Sequence, residues 1–177
     1  ALEVLYKGEE DLKASFYDKY GFHNLVNLIC ETDLRKIFKN VFKRILTDAK
    51  DVQIEPEFIQ GKNLQAGVCH WACTYMDIEI ARLMFKTPNV QINRFDQDYK
   101  TGAFKLIEKS GNEVTQMLEF LYNQGFDFNA KKDDQSQSLL EGFILAMNKN
   151  FDAIEFLVTH GADVNAINSK NKKLTLI

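Results

Sequence analysis

Apolar residues recur along this chain at helical spacing, and polar stretches close each run. The clearest stripe is Leu34, Ile37, Phe38, Val41, Phe42, Ile45 and Leu46, at i, i+3, i+4, i+7, i+8, i+11 and i+12. Thr32 or Asp33 precedes it as a capping residue. Its polar face holds Arg35, Lys36, Lys39, Lys43 and Arg44, which reads as a solvated face before it reads as an anion site. Upstream, Leu12, Phe16 and Tyr20 share a stripe ended by Gly21, and Leu25, Val26 and Ile29 mark a short helix over 22–30. Downstream, an apolar run ends in Leu83, Met84 and Phe85, and Val114, Met117, Leu118, Leu121 and Tyr122 line one face of a further helix. Ser138-Leu139-Leu140 opens another, continued by Phe143, Ile144 and Met147, and a last one places Ile154, Leu157 and Val158 inward.

The segments that close these helices are copies of one another. Gly161-Ala162-Asp163-Val164-Asn165-Ala166 supplies a glycine for the left-handed residue after a helix, then two side chains that cap turns. Gly125-Phe126-Asp127-Phe128-Asn129-Ala130 repeats it, Asn89-Val90-Gln91-Ile92-Asn93 repeats it more weakly, and Asp51-Val52-Gln53-Ile54-Glu55 is a faint echo. The closing asparagines are evenly spaced, 129 − 93 = 36 and 165 − 129 = 36. Self-similarity at such a period marks a stack of repeated units.

The run from Ile154 to Asn168, I-E-F-L-V-T-H-G-A-D-V-N-A-I-N, resembles the end of an ankyrin repeat. Val68-Cys69-His70-Trp71-Ala72 is similar to the start of that family's first helix, with Gly67 and Val68 in place of Thr-Pro. Asp77-Ile78-Glu79-Ile80-Ala81 resembles the opening of its second helix, and Thr101-Gly102-Ala103-Phe104 stands where the next first helix should open. The resemblance implies an all-α, ankyrin-type solenoid of stacked antiparallel helix pairs with protruding turns. Residues 1–56 would form a divergent helical N-terminal cap or first repeat. Repeats would follow over 57–177, at approximately 57–93, 94–129 and 130–165, with a truncated repeat at 166–177. The family unit is about 33 residues, so the surplus belongs in surface turns. The chain stops at Leu174-Thr175-Leu176-Ile177, where another first helix should begin. Solenoid ends carry polar caps, so the native protein is expected to continue.

Composition narrows the function. With 45% hydrophobic and 27% charged residues, the chain has the balance of an ordinary soluble domain. A net charge of −3 speaks against non-specific nucleic-acid binding, and no apolar run approaches the length of a membrane span. Ala-Leu-Glu-Val-Leu-Tyr-Lys-Gly-Glu-Glu lacks the sections of a signal peptide and is expected to be an excised boundary. Three cysteines without framework spacing point to a reducing compartment, the cytoplasm or a host cytosol.

No constellation predicts catalysis. Cys69 and His70 are adjacent, hence about 100° apart on a helix, and do not face each other. Cys69 and Cys73 share a face as zinc ligands would, yet no second pair follows, and both are read as small core residues. The resemblance implies that His70 hydrogen-bonds the adjoining turn. Glu9-Glu10 and Asp133-Asp134 lie beside lysines in surface segments, away from any apolar cleft that would shift a pKa. No enzyme activity and no cofactor or metal are expected.

Binding is the expected function. By the resemblance, turn tips and first helices form a concave face for a protein partner. The tips are Phe95, Asp96, Asp98 and Tyr99, then Lys132, Asp133 and Asp134, and the first helix offers Trp71, Thr74 and Tyr75. Trp and Tyr anchor interfaces well because they bury large area with few rotors; for Trp71 the alternative is a place in the core. A monomer is expected, acting as scaffold or adaptor. Bacterial pathogens secrete divergent members of the family, and usage rich in Phe, Asn, Lys and Ile fits an AT-rich genome. Two other readings stay open, a substrate-recruiting domain of a larger enzyme and a spacer with no partner.

Overall fold

The computed structural model describes residues 68–86, 90–96, 98–133 and 136–166. The expected N-terminal cap with its basic helix face, the opening of the 57–93 unit, the truncated unit's residues 167–177 and Asp134 lie outside the described residues. Within them the protein is helical, with five α-helices, one 3-10 helix and no strand. In chain order these are α1 (Val68–Tyr75), α2 (Ile78–Met84), the 3-10 helix Gly102–Leu106, α3 (Asn112–Asn123), α4 (Leu139–Leu145) and α5 (Phe151–Thr159). The 3-10 helix occupies the place where the sequence promised a first helix.

Three of the starts are set by local side chains. Asp77 accepts a hydrogen bond from Ile80 N–H at 3.2 Å, Ser138 Oγ from Glu141 N–H at 3.1 Å and Asn150 Oδ1 from Ala153 N–H at 3.0 Å. Each satisfies a backbone donor that the first helical turn leaves open. The ends of α3 and α5 are alike. Gly125 and Gly161 take φ of 82° and 90°, and the amides of Phe126 and Ala162 return to the carbonyls of Leu121 and Leu157 at 3.0 and 2.9 Å. That bond closes the helix end, and glycine is the residue that reaches the conformation without strain.

After α2, α3 and α5 the chain makes the same turn. Arg94, Ala130 and Ala166 donate to the carbonyls of Gln91, Asp127 and Asp163, three residues back in each case. The turns are also tied to one another. Asn93 Oδ1 accepts from Asp127 N–H at 2.9 Å, and Asn129 Oδ1 accepts from Asp163 N–H at 2.7 Å. Both partners advance together, 129 − 93 = 36 and 163 − 127 = 36. Asn129 Nδ2 also donates to Gly161 O at 2.8 Å. Asn129→Ala removes both of its bonds and is expected to cost about 1–2 kcal/mol in urea denaturation.

Packing follows two rows. In one, α1 and α4 both pack on the 3-10 helix; in the other, α5 packs on α3. α1 also packs on α2, and α4 on α5. The rings of Phe85 and Phe120 meet edge-on at 5.1 Å, joining the end of α2 to α3. Ile80, Met84, Leu106, Leu118, Leu121, Leu139, Phe143 and Leu157 are fully buried within one cluster. Small residues bring the first row close: a Cβ on Gly102 would sit 2.5 Å from the Cys69 carbonyl carbon and 2.6 Å from His70 N.

Three apolar positions differ from expectation. α4 ends at Leu145 because Ala146 turns into extended backbone at ψ 143°, so Met147 leaves the helix and is fully exposed. Val158 faces outward on α5, the buried side of which is carried by Ala153 and Leu157. Tyr122 is also exposed at one edge, its ring stacked at 6.1 Å on Phe128 and meeting His160 at 4.8 Å.

Candidate interaction surface

The most structured projection is the loop Phe95–Thr101. Its ends pair as an isolated antiparallel bridge, and Asp96 N–H donates to Lys100 O at 2.9 Å. Asp96 organises the interior: one carboxylate oxygen accepts from the amides of Asp98 and Lys100 at 2.9 and 3.0 Å. The sequence placed Asp96 on the exposed tip; it is buried instead, because only from inside the loop does its carboxylate reach both amides.

Those bonds hold Tyr99 in an unusual state. Its φ is 58°, the left-handed region that costs an L residue about 1–2 kcal/mol, and its side chain is 57% exposed. Such strain persists where the surroundings over-determine it. Lys132, on the neighbouring projection, places Nζ 5.8 Å from the Tyr99 ring centroid, a cation–π distance. Lys100 stands likewise 5.7 Å from the Phe104 ring. Asp98, Lys132 and Asp133 are exposed, and Asp133 also shapes its own turn by accepting from Ser136 Oγ at 2.9 Å. Phe95 is half-buried beside the bridge. The structure thus brings Tyr99 and Lys132 together across two projections, with Asp98 next to Tyr99 in the chain.

The α1 residues divide differently. Trp71, expected on the exposed face, is 4% exposed and belongs to the core cluster, because α1 is covered by both α2 and the 3-10 helix. Its ring lies 5.1 Å from that of Tyr75, which is half-buried. Thr74 turns its hydroxyl back to the His70 carbonyl at 2.7 Å, satisfying itself within the helix.

His70 fastens the loop to α1. Its buried ring places Nε2 3.0 Å from Lys100 O and 3.7 Å from Asp96 Oδ2. Burial holds its pKa below the ordinary 6.5, against the opposing pull of the Lys100 carbonyl and the Asp96 charge. Cys69 and Cys73 are buried free thiols, and burial together with the hydrogen bond to Cys69 pushes the Cys73 thiol well up, which suppresses a thiolate nucleophile. Among the described residues no group of three His, Cys, Asp or Glu side chains could hold a metal ion. None of the described helices is long and apolar enough to cross a membrane.

Two surface features carried no legible signal in the sequence. Leu145, Met147 and Phe151 are exposed around the α4–α5 connection. Beside them a cleft of about 470 Å³ opens between Ser110–Asn112 and Asn148–Asp152. Comparison with protein-family models, curated proteins and solved structures finds no match.

Proposed function

We propose that this chain is a divergent ankyrin-type solenoid whose function is non-covalent recognition of a partner protein, with the Tyr99 projection at the centre of the binding surface. The repeat reading is supported by the inter-turn bonds Asn93–Asp127 and Asn129–Asp163, two copies of one contact a period apart. The observation that carries the binding reading is Tyr99 itself. A large aromatic ring left 57% exposed in a left-handed conformation gains little from its own fold. Its ring and the Lys132 amine instead form a prepared contact, rigid because Asp96 fixes the backbone beneath it. Prearranged aromatic anchors bind well because little freedom remains to be lost.

Affinity capture tests this reading. The chain and its Tyr99→Ala variant are compared, after circular dichroism and melting show that both fold. Tyr99→Ala is expected to keep or slightly raise stability and to weaken the captured partner at least about tenfold. Equal capture by both proteins removes Tyr99 from the interface.

A further inference from the structure

α3 and α5 stand one 36-residue period apart, and equivalent positions on them differ in burial. The period pairs Leu118 with Ile154, Phe120 with Phe156 and Phe128 with Val164. Leu118, Phe120 and Phe128 are buried, and α5 packs on α3, with the Phe156 ring meeting that of Phe128 at 6.1 Å. Their counterparts are more open: Ile154 and Phe156 are half-buried, and Val164 is 41% exposed. Tyr122 and Val158, a further pair, are exposed alike, so the change is not a general loosening around α5.

The turns show the same difference. Asn129 N–H and Asn165 N–H donate to the carboxylates of Asp127 and Asp163, each at 2.8 Å, so both asparagines start from the same turn. Asn129 commits both ends of its side chain to the turn that follows: Oδ1 accepts from Asp163 N–H and Nδ2 donates to Gly161 O. The exposed side chain of Asn165 meets no such turn among the described residues. What fits there is set by α5 itself. The element that covers α3 presents Ala153, Leu157 and Gly161 at i, i+4 and i+8, with Ala153 and Leu157 buried. A folded second copy cannot offer that stripe, because its own core already buries it.

We propose that the outer face of α5, formed by Ile154, Phe156, Val164 and Asn165, is a docking site for an amphipathic helix of a partner protein that ends in a glycine-closed turn. The helix carries apolar residues at i and i+4 and its glycine at i+8, the pattern with which α5 covers α3. Its stripe covers Ile154, Phe156 and Val164, and removing these from water supplies most of the attraction. Its turn fixes the register. The glycine carbonyl accepts from Asn165 Nδ2, and the amide two residues further on donates to Asn165 Oδ1, as Gly161 and Asp163 do with Asn129. The site uses none of the residues of the Tyr99 projection. It adds a second surface to the function proposed above and does not rest on it.

The test is an NMR titration of the whole chain with a peptide copying Asn150–Ala166, stapled through positions 155 and 159. Both positions are exposed on α5, and the staple removes the ordering cost that a short free peptide carries. Saturable shifts are expected at the amides of Ile154, Val164 and Asn165. In the chain, Asn165→Ala is expected to weaken binding about fivefold or more, as loss of two hydrogen bonds implies. Val164→Asp, which buries a charge on docking, is expected to weaken it at least about tenfold. The same peptide carrying Leu157→Asp is expected not to bind. No saturable shift up to about 1 mM peptide overturns the proposal. So does binding that both chain variants retain in full, or that the Leu157→Asp peptide shares. Shifts centred on Leu118 and Phe128 overturn it as well, since the peptide then displaces the chain's own α5. Shifts that grow with chain concentration alone assign the face to a second copy, and destabilisation of the free chain by Val164→Asp assigns it to the chain's own residues; either result overturns the partner. Any of these failures leaves the Tyr99 surface standing.

Discussion

Phe143→Ala is expected to lower the free energy of unfolding by about 3–5 kcal/mol, read as a fall in the urea midpoint. Phe143 is fully buried on α4, the helix that packs on both the 3-10 helix and α5. Its neighbour Gly142 shows how close the packing is: a Cβ there would meet Ile107 Cδ1 at 2.5 Å and Phe104 Cε1 at 3.5 Å. The backbones on either side are held by other contacts, so the space left by the ring does not collapse fully. Because α4 bridges the 3-10 helix and α5, this loss is expected to loosen both contacts. Phe151→Ala is the control. That ring is 71% exposed, and its removal is expected to change stability by no more than about 0.5 kcal/mol.

The second large effect comes from adding a single carbon. Gly102→Ala places Cβ 2.5 Å from the Cys69 carbonyl carbon and 2.6 Å from His70 N. Both are backbone atoms of α1, so no side chain can swing aside. The 3-10 helix and α1 must move apart, through a region where Ala72, Cys73, Ala103 and Leu106 are fully buried. The expected cost is about 3 kcal/mol or more, at the upper end for overpacking. Parting the two elements also lengthens the His70–Lys100 contact, so Asp98 and Lys100 should lose exchange protection at neutral pH. Gly125→Ala separates this from ordinary glycine strain. Nothing lies within 4 Å of a Cβ at Gly125, and its φ of 82° predicts a loss of only about 1 kcal/mol. Equal losses from the two substitutions would mean that conformation, rather than contact, controls both sites.

The helical content was legible because it is written in local spacing. α3 lies where Val114, Met117, Leu118 and Leu121 predicted a buried stripe, and all four are buried. The 36-residue spacing of Asn93 and Asn129 reappears as the spacing of two equivalent hydrogen bonds. Exposure was less legible, because it depends on which distant element covers a helix. Trp71 reads as an outward anchor until α2 and the 3-10 helix are both placed against α1. Val158 and Tyr122 continue apolar patterns that their helices do not fully bury. Met147 continues one beyond the point where the backbone at Ala146 leaves the helix.

At the surface, sequence located the projections but not the roles within them. Asp96 and Asp98 look equivalent as acidic tip residues; folding turns one inward to hold amides and leaves the other exposed. The left-handed φ of Tyr99 has no signature in residue type, since tyrosine does not favour it. Lys132 reaches the Tyr99 ring from 33 residues away in the chain, a contact that only folding creates.

Site-specific photo-crosslinking tests the central claim most directly. A photoreactive residue is placed at position 99, at position 132 or at the exposed Glu119 on α3, and the chain is irradiated in lysate. One and the same protein is expected to crosslink from positions 99 and 132 and not from 119. A partner that crosslinks from 119 but from neither projection would contradict the assignment of this surface.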